Sequence, residues 1–398
     1  MFINQLPDDC LLIIFSSINE LDDLLNCYKV CSKWSHLIAE RTRKVKYLVE
    51  HTYWWNNGSS PNYPFDYVYY RTKEPMDGTC LSTLFPNLMI GEFSHGFHKK
   101  VKHEEIVSLV KNIKSCKGLI HQFYQGNESI FQYCDQLEMV STDYIEPWIK
   151  KNGVNIKQLH LLGTLESFKE DAHYFPNLER LYIHDDGGQN CIYDGPIFRR
   201  LKIIELALSS LDDVDGVVGP DVYYGFNFID YCPNLQSAHF KVDSDVTLVD
   251  ESVKHKSLQD LVLHFDSGFD EWYQLKFGLI SLFLKCPNLK HLAMRKCYPL
   301  ENAHVKHLVG ILPNLVLLDV RGSPKVTREA ADYIQDYNKL HGRSIKFYFK
   351  DNHQKISSDW PQLSTEWGKI SQGFDFMKHC FLKDFPSLST FLIPCEDL

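Results

Sequence analysis

The apolar positions of this chain follow two different rhythms. Near the N-terminus, Leu11, Leu12, Ile14, Phe15 and Ile18 recur at intervals of three and four after Pro7, the spacing of one helix face. Asp8 and Asp9 fall in the first turn, where a helix dipole favours anions. A second helix is predicted from Leu21 to about Cys31, opened by Asp22 and Asp23 and apolar at Leu24, Leu25, Tyr28 and Val30; a third carries Trp34, Leu37 and Ile38. Three short helices in about 45 residues make too small a core to stand alone, so their apolar surface asks for a partner. From about residue 85 the rhythm changes to short stretches alternating with period two, each introduced by Phe-Pro-Asn-Leu or a relative: Phe85 to Leu88, Phe175 to Leu178, Cys232 to Leu235, Cys286 to Leu289 and Leu312 to Leu315.

In the helical segment, Leu6-Pro7, Ile14-Phe15, Leu21, Asp23-Leu24, Val30-Cys31 and Trp34 stand in a fixed order over some 30 residues. This combination resembles the F-box, with mild departures at Ile18 and His36, where many members carry Leu and Arg. The resemblance implies docking onto the Skp-family adaptor of an SCF-type cullin ubiquitin ligase. It assigns that docking to Leu6, Pro7, Leu11, Ile14, Phe15, Leu24, Leu25, Val30, Cys31 and Trp34. Core packing of an isolated bundle explains the apolar residues but not the Leu-Pro and Val-Cys-x-x-Trp spacing.

Aligned on the Leu of each signature, Leu289 to Cys297 reads Leu-x-x-Leu-x-Leu-x-x-Cys with Met294 in the third apolar place. The stretches from Ile156, Leu178, Leu201, Leu258 and Leu315 fit well, those from Leu137 and Leu235 more loosely, and Leu88, Leu119 and Ile345 only weakly. This resembles an irregular leucine-rich repeat array: short strands whose apolar side chains face the core while the intervening positions line a concave surface. Spacers of the later repeats read as helices through Phe277, Ile280 and Leu284, through Val305, Leu308 and Leu312, and from an N-cap at Thr327 to Leu340 with a stop at Gly342. The expected fold is α/β: a three-helix F-box (1–48), an aromatic-rich linker or N-terminal cap (49–84), a leucine-rich-repeat solenoid (85–350) and a C-terminal cap or tail (351–398). Such solenoids suit the gripping of another macromolecule. The alignment puts His160, Tyr182, Glu205, His239, Val262, Ala293 and Asp319 in one slot between apolar positions, read as exposed concave-face residues available to a protein target.

Two stretches stand outside the repeats. Residues 52–75 carry Tyr53, Trp54, Trp55, Tyr63, Phe65, Tyr67, Tyr69 and Tyr70, suiting either a cap on the first repeat or a recognition site. The tail holds Trp360, Trp367, Phe374, Phe376, Phe381 and Phe385, too apolar to float free; it either caps the last repeat or folds back across the concave face.

Charge and composition narrow the partners. Fifty-one acidic against 42 basic side chains give a net charge of -9, which offers no field for a phosphate backbone, so nucleic acid is not the expected partner. No apolar run nears the ~18 residues of a membrane span. Asp8 and Asp9 precede the apolar run at Leu11 to Phe15, unlike an export signal, so the expected location is cytoplasmic, nuclear or both. The basic group Arg41, Arg43, Lys44 and Lys46 reads as a solvated face rather than an import signal. The twelve scattered Cys read as reduced, and the sequons at Asn57 and Asn127 as chance matches. His95-x-x-His98 and His304-x-x-His307 place imidazole pairs on helical faces without the further ligands zinc wants. Asp212, Asp213 and Asp215 form an acidic loop, solvated or a contact for a basic segment. With no phosphate-binding loop, nucleophile elbow or zinc-protease motif, the chain is expected to be neither enzyme nor cofactor protein. The two resemblances together imply a ligase substrate receptor holding adaptor and cullin at one end and a target at the other, or a scaffold using the same surfaces.

Overall fold

A computed structural model describes residues 3–51, 66–71, 75–122, 129–185, 191–208, 222–244, 246–265 and 272–394, with backbone alone for 272–277. Tyr53, Trp54, Trp55, Tyr63, Phe65, both sequon asparagines (Asn57 and Asn127) and the acidic loop at 212–215 lie outside the described residues. The chain divides into two compact units, Met1–Ile156 and Lys157–Leu398.

The first unit opens with α1 (Asp8–Ser16), α2 (Leu21–Tyr28) and α3 (Ser32–Thr42). Pro7, extended at ψ 151°, starts α1, which buries Leu11 and Phe15 one turn apart. Leu21, Leu24 and Leu25 of α2 and Leu37 and Ile38 of α3 complete the core, and Trp34 meets Phe15 edge-on at 5.0 Å. Helix α2 stops at Tyr28 rather than near Cys31. The amides of Lys29 and Val30 turn back to Leu25, Asn26 and Cys27, and Cys31 is extended at φ −165° ahead of α3.

Helix α3 passes after four residues into β1 (Tyr47–Glu50), which pairs in parallel with β2 (Tyr67–Tyr70) and β3 (Ile90–Glu92); β4 (Gly118–Ile120) and β5 (Met139–Thr142) extend the ladder beyond β3. The repeat therefore begins near Val45, well before the first Pro-Asn-Leu. The side chain of Asn87 identifies Val45 as the first Leu-type position: it donates to the Arg43 carbonyl. Asn234, Asn288 and Asn314 donate to Arg199, Lys256 and Pro287, the equivalent carbonyls of their preceding repeats. That bond is the physical reason for the recurring Asn.

In the second unit β6 (Gln158–Leu161), β7 (Arg180–His184) and β8 (Ile203–Ala207) are followed by a short strand β9 (Val222–Tyr223), β10 (Ser237–Val242), a short strand β11 (Val246–Thr247) and β12 (Asp260–Phe265). Then come β13 (His291–Arg295), β14 (Leu317–Asp319) and β15 (Lys346–Tyr348). Strands β6, β7, β8, β10, β12, β13, β14 and β15 pair in that order, all parallel, and β9 pairs with β11 beside them. Leu159, Leu181, Ile204, Ala238, Leu261, Leu292, Leu318 and Phe347 share one register and face the buried side covered by the spacers. Helices Trp272–Lys285, Asn302–Ile311 and Arg328–His341 fill the later spacers. Thr327 Oγ1 accepts the Glu329 amide, and Gly342 ends the helix at φ 63°. Parallel strands with helices in several of the spacers make this an α/β leucine-rich-repeat solenoid. The tail folds back along the sheet, with β16 (Ile370–Gln372) and β17 (Phe391–Ile393) paired in parallel.

Candidate protein-binding surfaces

The ten residues assigned to adaptor docking divide by burial. Leu11, Phe15, Leu24 and Leu25 point inward and hold the bundle. Pro7, Ile14 and Val30 are exposed, and Leu6, Cys31 and Trp34 are half-buried. Ile3 and Ile13, absent from the docking assignment, are exposed as well, Ile13 to 72%. The helical wheel contained that signal, since Ile13 falls opposite Leu11 and Phe15. Of 16 exposed large apolar side chains among the described residues, Ile3, Ile13, Ile14 and Val30 lie within the first thirty positions. So high a density on so short a segment marks a face to be covered.

The other side of the bundle is already occupied. The Tyr69 amide donates to the Asn19 carbonyl at 2.9 Å, and Glu20 bridges to Tyr69, so β2 extends onto the α1–α2 connection. Lys100, nearly fully buried, pairs with Asp22 at 2.8 Å, and Arg71 meets Glu20 at 3.5 Å. Arg41 is likewise internal: its guanidinium donates to the carbonyls of Phe15 and Ile18 and to Asn19 Oδ1, and burial lowers its pKa to about 10. Arg41 thus leaves the basic surface group, of which Arg43 and Lys44 are exposed.

Strand pairing puts His160, Tyr182, Glu205, His239, Val262, Ala293 and Asp319 opposite one another in successive strands, in the register read from the sequence. They are not exposed. All seven are buried, because the tail packs over them: Ile356, Leu363, Phe376, Cys380, Phe381, Leu382, Phe385, Leu388 and Leu392 form one apolar cluster with Tyr182, Val262 and Ala293. The alternation of polar and apolar positions that ordinarily signals water here signals a second layer.

Polar clamps fix that layer. Arg180, 1% exposed, pairs with the fully buried Glu205 at 2.6 Å and donates to the Ser389 and Thr390 carbonyls at 2.6 and 3.1 Å. Burial raises the Glu205 carboxyl from its ordinary value while Arg180 pulls it back down. Arg295 repeats the device on β13, pairing with Asp319 at 3.4 Å and donating to the carbonyls of Phe381 and Lys383. The Gln158 side chain bonds both the amide and the carbonyl of Leu392. Phe385 stacks on Tyr182 at 4.9 Å and meets His184 and His239 edge-on at 5.7 and 5.5 Å. Burial and the neighbouring Arg180 hold His160 down at about 3, and burial beside Arg295 holds His239 well below the usual histidine range.

The histidine pairs of the sequence resolve differently. His98 lies with His121, Nε2 to Nε2 at 3.3 Å, and its ring stacks on that of His103; burial lowers His98 to about 3 and His121 to about 4. His304 Nδ1 accepts the Glu301 amide in a capping box. Among the described residues no group of three or more His, Cys, Asp or Glu is placed to hold a metal ion, and no helix is long and apolar enough to cross a membrane.

The family model of the F-box-like domain matches residues 3–43. No curated protein sequence matches the chain. Similar solved structures include a complex of TLR13 with ssRNA13 (13% identity, TM-score 0.42), where the match covers 74% of this chain and 45% of that one, less than half its length. A yeast complex of Rad7 and Elc1 matches at 15% identity and TM-score 0.38, covering 81% of this chain and 90% of that one. The LRR protein LIC12759 of Leptospira interrogans matches at 12% identity and TM-score 0.32, covering 86% and 98%. The repeat fold itself is assigned from this chain's own strand ladder and Asn bonds. F-box domains generally bind Skp-type adaptors; this chain carries an F-box-like domain at residues 3–43, its three helices bearing an uncovered apolar face, followed by leucine-rich repeats.

Proposed function

We propose that this chain is the substrate-recognition subunit of an SCF-type ubiquitin ligase, its N-terminal helices docking a Skp-family adaptor and through it a cullin, its repeat domain holding a protein target. The concentration of exposed Ile3, Ile13, Ile14 and Val30 on helices whose opposite side is bonded to β2 carries the reading. In it Pro7, Ile14 and Val30 with half-buried Leu6, Cys31 and Trp34 touch the adaptor, while Leu11, Phe15, Leu24 and Leu25 shape the face from behind. The mechanism is proximity: a target kept beside a ubiquitin-loaded enzyme converts an encounter into a nearly unimolecular step, and the bond-making belongs to other subunits. The test is co-expression with a Skp-family adaptor and size exclusion, comparing the natural chain with the double variant Ile14→Asp, Val30→Asp. A stoichiometric complex lost in a variant of unchanged circular dichroism supports the proposal; no complex with the natural chain ends it.

A further inference from the structure

The two layers that meet on the ladder face of the second unit differ in chemistry. On the sheet side stand Gln158, Arg180, Glu205, His239, Arg295 and Asp319, all buried, whereas the other side of the same strands is wholly apolar, Leu, Ile, Val, Ala, Met and Phe. The tail brings mostly apolar side chains and main-chain carbonyls, with Asp359 and Asp384 meeting Tyr348 and His264. A permanent core has no need of so many polar groups, since apolar residues of equal volume serve as well or better. A face that is also exposed to water does need them. Each guanidinium keeps its own carboxylate within the sheet, Arg180 with Glu205 and Arg295 with Asp319, so departure of the tail leaves no buried charge unpaired. What the sheet reads in the tail is largely main chain and rings: four carbonyls are taken by two arginines, the amide and carbonyl of Leu392 by Gln158, Phe385 is held among Tyr182, His184 and His239, Phe381 and Trp360 lie against His291, and Trp360 donates to the Tyr348 hydroxyl. Backbone bonds for affinity and a pocket for one side chain are how sites for extended peptides work.

We infer that residues 356–393 are an exchangeable strap seated in cis on a peptide-binding face, and that the target is an extended protein segment bearing an aromatic side chain, which takes the strap's place. This deepens, and rests on, the reading of the chain as a receptor. The strap keeps the face closed until a better-matched segment displaces its carbonyls from Arg180 and Arg295.

The probe is a labelled synthetic peptide of residues 379–394, titrated by fluorescence anisotropy into the full chain and into its Phe385→Ala variant. Apparent affinity scales with the fraction of open face, and loss of a large buried ring favours opening, so the variant is expected to bind the peptide about 30-fold more tightly than the natural chain. Equal affinities, or no binding to either, would overturn the strap. Should Phe385→Ala fail to fold, hydrogen exchange on the natural chain decides: amides of 391–393 exchanging faster than those of β12 and β13 uphold an opening strap, and exchange at one common rate refutes it. Adaptor co-purification is scored on the same samples. Peptide binding without adaptor binding keeps the strap and ends the ligase reading; adaptor binding without peptide binding does the reverse.

Discussion

Replacement of Arg180 by Ala removes an ion-pair partner from a fully buried carboxylate and a donor from two carbonyls in one stroke. Breaking a buried pair from one side costs ~3–5 kcal/mol because the remaining charge has neither water nor partner. Carbonyls left unsatisfied add ~1–3 kcal/mol each if they stay buried, and less if the tail shifts to meet water. The expected loss is about 5 kcal/mol, a large share of the ~5–15 kcal/mol that holds a domain folded. The double change Arg180→Met, Glu205→Met takes away the orphaned charge with its partner and should recover about 3 kcal/mol of that loss, leaving the carbonyl contribution. Urea denaturation followed by circular dichroism, run as a double-mutant cycle, gives both numbers. If Arg180→Ala lies within 1 kcal/mol of the natural chain, or the double variant is no better than the single, the clamp is not what holds the tail.

Acid should loosen the strap. His160 and His239 are held neutral by burial, with Arg180, His184 and Lys369 facing the first and Arg295 and His264 the second, whereas in an opened face they regain an ordinary value near ~6.5. The open form therefore binds more protons as pH falls below that value, and the closed form loses about 2 kcal/mol between pH 6.5 and 5.5, read as faster exchange at 391–393 after correction for intrinsic rates; pH-independent protection would contradict this. Lys285, with a fully buried side chain, pairs with Asp230 and donates to the Asp250 carbonyl, so Lys285→Ala should lower stability by about 3 kcal/mol in a urea titration. Gly342 stands at φ 63° with open space around it, so Gly342→Ala should cost only the backbone strain of that conformation, about 1 kcal/mol in the same titration.

How far the chain could be read without coordinates depended on whether the signal was local. The three N-terminal helices were legible because their cores are built from neighbours three and four positions apart, and Thr327 and Gly342 marked a helix correctly because caps are local chemistry. Strands β3 and β4 read weakly for a reason now visible. Gly91 occupies an apolar slot that the Phe93 ring fills, and His121 stands where Leu is expected. Strands β1 and β2 lay hidden because no Pro-Asn-Leu precedes Val45; the Asn that ties this repeat sits in the next one, at 87. The tail's place was beyond sequence logic. Gln158 and Leu392 are 234 residues apart, and a polar residue between two apolar ones has the same pattern whether it meets water or a guanidinium.

The joining of β2 to the α1–α2 connection bears on how this chain can be taken apart. Cassette logic treats such a helical segment as transplantable, yet a cut after residue 48 would pass through β1, deprive Asn19 of the Tyr69 amide and leave Asp22 without Lys100. A fragment that keeps its own architecture runs through Ile156. Chimeras that graft these helices onto a foreign repeat domain must carry β1 to β5 with them, and on the proposed reading substitutions at Tyr69 or Lys100, both buried and outside the uncovered apolar face, are expected to register in adaptor affinity all the same.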